Sequence, residues 1–266
     1  MSARSTDREA YQHVPRPVAA MAKDFPGGHV IALHLHPRAQ LIYAAEGVMR
    51  VTTSLGTWLV PPYRALWVPA RVEHEVRMSG PVAMRTLYIA QSAAPKRLTG
   101  CMVIDVSSLL RALILRAVEE PVDYDERGAV GHVMALILEE LSRVFPVPLD
   151  MPLPRDKRLL ALCRGLITDP GVSTTLDGWG EHVGASARTL ARLFQRETGM
   201  GFTAWRQRVR LAEAVGRLAK GESVSIIAKS LGYGSASAFT AMFHRALGAT
   251  PRQYMSRVDR GSHVDA

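Results

Sequence analysis

The sequence predicts an α+β chain of two domains: a β-barrel with a helical segment, then an all-α domain. Three observations carry this. Residues 28–89 are a succession of short apolar runs broken by turns, the pattern of a β-sandwich or barrel. Residues 175–255 repeat one pattern twice: a short helix, a glycine-containing turn and a second helix. Charge is uneven, because residues 1–151 hold 16 Lys and Arg against 15 Asp and Glu, whereas residues 152–266 hold 17 against 9. Nearly all of the formal +9 thus lies with the helical half, which favours a polyanionic partner.

Residues 1–25 carry Arg4, Asp7, Arg8, Glu9 and scattered prolines. They read as a flexible N-terminal arm, with a strand near 18–21. Residues 26–145 form the first domain. Strands are expected over 30–36, 41–44, 48–53, 57–60, 66–68, 73–78 and 82–89. Residues two apart in a strand share a face, so His34 and His36 point together and His29 points away, as a structural residue. Gln40 returns after the Pro37-Arg38-Ala39 turn, and His74 arrives on a later strand. Three imidazoles and a side-chain oxygen suit one divalent transition metal. The other reading is a metal-free barrel whose histidines line a ligand pocket or satisfy one another.

Helices follow over 107–120 and 126–144. Leu109, Leu110, Leu113, Ile114, Ala117 and Val118 make the first apolar stripe; Val130, Val133, Met134, Ile137, Leu138 and Leu141 make the second. The pair can pack on the barrel, and surplus apolar surface can join a second subunit. Residues 146–155 are proline-rich, with four prolines between Phe145 and Pro154, and read as a semi-stiff linker.

Residues 156–258 form the second domain. Leu176, Trp179 and Val183 recur at helical spacing, Gly184 stops that helix, and Ser186 caps a second one over 187–197. Leu190, Leu193 and Phe194 are its buried stripe, leaving Arg188, Ala191, Arg192 and Gln195 outward. Arginines on the first turns of such a helix suit guanine in the major groove. A spacer helix over 202–220 spans roughly 28 Å, close to the turn of B-DNA at about 34 Å. Its Arg206, Arg208 and Arg210 suit phosphates. In the second unit Ser223 caps a helix carrying Val224, Ile227, Ala228 and Leu231. Gly232-Tyr233-Gly234 turns, and Ser235 caps a helix over 236–247. Ser237, Thr240 and Ala241 face outward there, with little reach. Residues 259–266 read as a polar, disordered tail.

Two cysteines, Cys101 and Cys163, fall in different domains, which is no disulfide framework and fits a reducing cytoplasm. No apolar run reaches the roughly 20 residues of a membrane span, and the polar N-terminus is no signal peptide.

Residues 157–257 resemble the DNA-binding domain of the AraC/XylS family of bacterial transcription regulators. The resemblance rests on Leu193-Phe194 with Glu197-Thr198-Gly199, on Ile227-Ala228 with Leu231-Gly232-Tyr233, on Phe239 and Phe243, and on 248–254. It implies base reading by Arg188, Ala191 and Arg192 in the first unit and by Ser237, Thr240 and Ala241 in the second. Ala241 departs from the arginine or other polar residue common there. Gly28, His34, His36, Gln40 and Gly47 are similar in spacing to the first cupin motif, and 69–74 to the second. Gln40 stands in place of the usual glutamate and Arg71 in place of the usual glycine.

Together these imply a DNA-binding regulator, not an enzyme, with a cupin-like sensor that takes a small-molecule effector. The resemblance also implies a homodimer formed through the helical segment, with RNA polymerase as a further candidate partner. Two alternatives stand beside this reading: a metal-responsive regulator, and a cupin oxygenase fused to a DNA-binding module. Against the last, no acid, base or nucleophile constellation accompanies the histidines.

Overall fold

Strand alternation sorts the side chains of the N-terminal unit to two sides. The computed structural model describes residues 5–147, 149–218 and 221–262. The chain divides into two units, residues 1–53 with 58–147 and residues 54–57 with 148–266. The first is built from β1 (Val18–Phe25), β2 (Val30–His34), β3 (Ala39–Glu46), β4 (Met49–Thr52), all but the first two residues of β5 (Gly56–Val60), β6 (Arg64–Val68), β7 (His74–Met78), β8 (Val82–Ile89) and β9 (Met102–Asp105). One sheet has the order β1-β8-β3-β6-β9, and the other contains β5-β4-β7-β2.

In the first sheet Leu41, Tyr43, Ala65, Trp67, Leu87 and Ile89 join one apolar cluster with the helices α1 (Ser108–Ala117) and α2 (Ala129–Arg143). Residues of the other parity, Gln40, Thr86 and Tyr88, turn to the barrel interior, and the register sets Gln40 opposite Tyr88. The sheet is therefore buried on both faces, which is why β3 reads as an apolar run rather than an alternation. Trp67 fixes its place by donating its indole N–H to the Leu98 carbonyl.

Several expectations need correction. The N-terminal arm is structured from residue 5: Arg8–Tyr11 form a 3-10 turn capped by Asp7, Tyr11 is buried, and β1 pairs along its whole length with β8. Apolar Val18, Ala20 and Met21 gain more from burial than a mobile segment retains in entropy. Residues 1–4 of that arm lie outside the described residues. Strand β9 has no counterpart among the expected strands. Helix α1 is shorter than expected, ending at Ala117, well before Pro121.

The second unit contains β10 (Asp150–Pro152), α3 (Lys157–Thr168), α4 (Leu176–Val183), α5 (Ala187–Thr198), α6 (Phe202–Leu218), α7 (Val224–Ser230), α8 (Ala236–Leu247) and α9 (Pro251–Ser262). Much of the expected linker belongs to this unit. Leu149 and Met151 are buried, and Pro152 accepts the indole N–H of Trp205. Prolines bar a helix but not this extended docking. Residue 148 of that linker lies outside the described residues, as do residues 219–220 of the expected spacer helix. The expected tail is helical through Ser262, and residues 263–266 lie outside the described residues. Its helix starts on a reciprocal capping box: Gln253 N–H donates to Thr250 Oγ1, and Gln253 Oε1 accepts from Thr250 N–H. Pro251 takes the first helical position, where no N–H is needed.

Each helix-turn-helix forms from local rules. Ser186, Ser223 and Ser235 cap α5, α7 and α8 by accepting the N–H three residues on. Gly184 at φ 67° and Gly232 at φ 74° supply the left-handed turn in each unit.

Candidate effector site and nucleic-acid interface

The barrel interior brings His34, His36 and His74 together, with one ring nitrogen of each within 4.8 Å of the others. Their tautomers are set by the backbone. Nδ1 of His34 lies 2.8 Å from the Ala32 carbonyl, Nδ1 of His36 2.8 Å from that of Arg38, and Nδ1 of His74 2.9 Å from that of Val72. A ring nitrogen facing a carbonyl carries the proton, so each neutral ring keeps a lone pair on Nε2. Gln40 is oriented just as firmly: its amide N–H donates to Thr86 Oγ1 at 2.9 Å, and Thr86 donates to the Leu41 carbonyl at 3.0 Å. Gln40 Oε1 thus faces Nε2 of His36 at 2.9 Å and Nε2 of His74 at 3.1 Å.

With those tautomers, electron pairs meet electron pairs at Gln40 Oε1. Burial disfavours a proton: it holds His74 at about 4, below the usual 6.5, and lowers His34 as well. The donor set fits a divalent transition metal. Ligands about 2.1 Å from one ion and at right angles stand about 3.0 Å apart, close to the separations of Gln40 Oε1 from the two imidazoles. Three neutral imidazoles with an amide oxygen suit the imidazole-preferring ions such as zinc, nickel, copper and iron.

Beside this cluster lies a cavity of about 430 Å³. Met21, Phe25, Ile31, Val76 and Met84 give it apolar walls, His34, Gln40 and Tyr88 reach its polar end, and Thr6–Glu9 with Lys23 form its rim. A volume of this order admits a small organic molecule. The pairing register shifts between Ile31 and His34. Regular alternation from His29 and Ile31 would turn Leu33 inward. The irregularity turns His34 in instead and leaves Leu33 61% exposed. For the same reason His29, expected on the opposite face, lines the cavity against Phe25 with ring centroids 4.8 Å apart.

In the second unit α5 buries Leu190, Leu193 and Phe194 and leaves Arg188, Ala191, Arg192 and Gln195 exposed on one side. Glu197 accepts the backbone N–H groups of Arg155 and Asp156, tying the end of α5 to the start of α3. Helix α8 buries Phe239, Met242 and Phe243 and presents Ser237 and Ala241, with Thr240 half-buried beside them.

A model of the AraC-like ligand binding domain matches residues 18–137, and one of a helix-turn-helix domain matches residues 179–257. The HTH-type transcriptional regulator NimR of Escherichia coli K12 is 31% identical over 226 residues, covering 85% of this chain and 82% of NimR. This chain belongs to the AraC/XylS family. The regulator RipA of Corynebacterium glutamicum is 35% identical over 119 residues, 43% of this chain and 35% of RipA. Among solved structures, ToxT from Vibrio cholerae aligns over 91% of this chain and 98% of its own, at 10% identity and a TM-score of 0.39. As an AraC/XylS member the chain is a DNA-binding transcriptional regulator with a ligand-binding N-terminal domain.

Two of the expected phosphate contacts of this AraC/XylS chain are corrected. Arg208 is paired with Asp150, donating to its carbonyl at 3.1 Å and to its carboxylate. Arg210 donates to the carbonyls of Pro170 and Val172 and lies over the Tyr233 ring. Both guanidiniums fasten backbone within the domain. Arg206 stacks on Phe202 at 4.9 Å and has no acidic partner among the described residues.

Sequence reasoning passes over Arg38. Its buried guanidinium donates to four carbonyls, those of Gln12, Tyr88, Val14 and Arg16. Tyr88, edge-on to His36 at 5.2 Å, is missed as well, as are His244 and Arg245 one turn beyond Ala241. The only signal for Arg38 is its place in the tight turn between His36 and Gln40.

Proposed function

We propose that this regulator senses its effector at a metal-dependent barrel site. His34, His36 and His74 would hold one divalent transition metal through Nε2, and Gln40 through Oε1. The ion would supply a Lewis-acidic anchor at the polar end of the cavity, with the effector's body against Met21, Phe25 and Met84. The observation that carries this is the convergence of three imidazole lone pairs and one amide oxygen without a proton donor among them. Effector binding regulates only if it favours one state of the protein over another, so its affinity must differ between DNA-bound and free forms.

On the DNA side, α5 would read bases through Arg188, Ala191, Arg192 and Gln195, and α8 would enter a second major groove, with Arg206 on a phosphate. We further infer a homodimer joined through α1 and α2, which leave Leu109 52% and Leu136 49% exposed. The barrel is read as a sensor rather than an oxygenase because the relatives are transcription regulators.

The test is elemental mass spectrometry of tag-free protein purified without chelator. Near-stoichiometric metal, lost in folded His36→Ala and His74→Ala variants, is the expected result. No metal after reconstitution removes the assignment. It would leave a dry network in which the Gln40 amide is turned, its NH₂ serving both imidazoles.

A further inference from the structure

We propose that α8 selects thymine by its C5-methyl group, through the side chains of Thr240 and Ala241, while α5 reads by hydrogen bonds. This rests on the reading of α8 as a helix that enters a major groove.

The two recognition helices differ in what they offer. On α5 the outward positions carry two guanidiniums and an amide, groups long enough to reach base edges and able to pair with guanine in two places. On α8 the outward row is Ser237, Thr240 and Ala241, at the three- and four-residue spacings that place side chains on one face. None is longer than threonine. With Ala236, His244, Arg245 and Thr250 these residues line a shallow hollow on the helix surface. The hollow is open to close approach, and neither Ser237 nor Thr240 spends its hydroxyl on another described residue.

The major-groove edges of guanine and adenine are recognised best by side chains that hydrogen-bond in two places. The first two turns of α8 contain no such side chain. Thymine alone carries an apolar knob into the major groove, its methyl group, and alanine and threonine methyls are its natural partners. A hollow lined by Ala241 and Thr240 offers methyl-bearing side chains to that knob. Charge complementarity brings the helix to DNA, since residues 152–266 carry 17 basic against 9 acidic side chains. His244 and Arg245, one turn further on, meet the hollow's rim and suit the backbone beside it.

The experiment uses the full chain. Binding sites are enriched from random duplex DNA, and each selected thymine is then replaced by deoxyuridine, which lacks only the methyl. Arg192→Ala identifies the α5 block as the one whose selectivity it relaxes. In the other block, single thymine-to-uridine changes are expected to weaken binding about fourfold, the factor for one buried methyl. In the α5 block they are expected to change it less than twofold. Thr240→Ser, which keeps the hydroxyl and drops the methyl, should shrink the uridine penalty. Uridine tolerated throughout the second block, or a second block enriched in guanine or adenine, overturns the inference while leaving α8 in its groove. A single selected block, abolished whole by Arg192→Ala, overturns it together with the reading of α8 as a groove helix.

Discussion

Nε2 of His36 lies 2.9 Å from Oε1 of Gln40, and the opposite ring nitrogen of His36 is already committed to the Arg38 carbonyl. Two electron pairs are thus held face to face inside a buried site. Gln40→Glu would add an anionic ligand at the same place. It is expected to bind metal about tenfold tighter, about 1.4 kcal/mol, and to destabilise the metal-free barrel, because a buried carboxylate then lacks a cation. Competition against a chromogenic chelator reads the first effect and urea unfolding in chelator the second. Unchanged affinity would argue that Gln40 is no ligand.

Arg38 holds residues 12–16 to strand β8 through carbonyls alone. Arg38→Ala leaves four carbonyls short of a donor and is expected to cost about 3 kcal/mol. Lysine has neither the planar fork nor the donor count to restore it. Urea denaturation and limited proteolysis near residues 12–16 check this. Rescue by Arg38→Lys would show that charge, not the fork, is what matters.

Arg192 is exposed one helical turn from Arg188 on the outward side of α5. Arg192→Ala is expected to weaken binding to selected DNA by about 1–3 kcal/mol, with little loss on random duplex. Fluorescence anisotropy on both ligands measures the split. An equal loss on each would make Arg192 a phosphate contact.

Leu109 and Leu136 are exposed on α1 and α2, so glutamate is tolerated there by the fold. The double variant Leu109→Glu with Leu136→Glu should convert a dimer to a monomer in light scattering, with the far-UV circular dichroism unchanged and the concentration dependence of the melting temperature lost. A dimer that persists would place the subunit contact elsewhere.

Asp156 caps α3, accepting from the N–H groups of Arg158 and Leu159. The bond from the Arg158 side chain, with these cap bonds behind it, holds its carboxyl at about 2 against the usual 3.8. The folded form binds the proton less well than the unfolded chain, so the contribution is full above pH 3.8 and is lost as pH falls to about 2. Thermal melts between those limits should show the wild-type advantage over Asp156→Asn vanish on acidification. Parallel profiles for the two would discard this role. Asp156→Ala, without any cap, is expected to cost about 1 kcal/mol at neutral pH.

What the sequence discloses follows from range. The caps at Ser186, Ser223 and Ser235 are local contacts, each reaching three residues, so residue order alone exposes them. The quartet of His34, His36, Gln40 and His74 is legible from its spacing and the turn between His36 and Gln40, although β2 ends at His34 and a register shift, not plain alternation, turns His34 inward. His29 is misplaced by the irregularity in β2, which no periodicity announces. Arg208 and Arg210 look like phosphate ligands until Asp150, Pro170 and Val172 are brought beside them, up to 58 residues away along the chain. Arg38 is hidden for the same reason, since its partners run from Gln12 to Tyr88.

The indole anchors at Trp67 and Trp205 have a spectroscopic consequence. Trp58 and Trp67 belong to the barrel unit, and Trp179 and Trp205 to the helical unit. Each unit therefore carries its own pair of fluorophores. Replacing one pair by phenylalanine leaves emission that reports the other unit alone, so a single titration with denaturant or effector can be followed separately in sensor and reader. Trp205, whose N–H is held by Pro152, also makes release of the β10 segment visible as a change of emission colour.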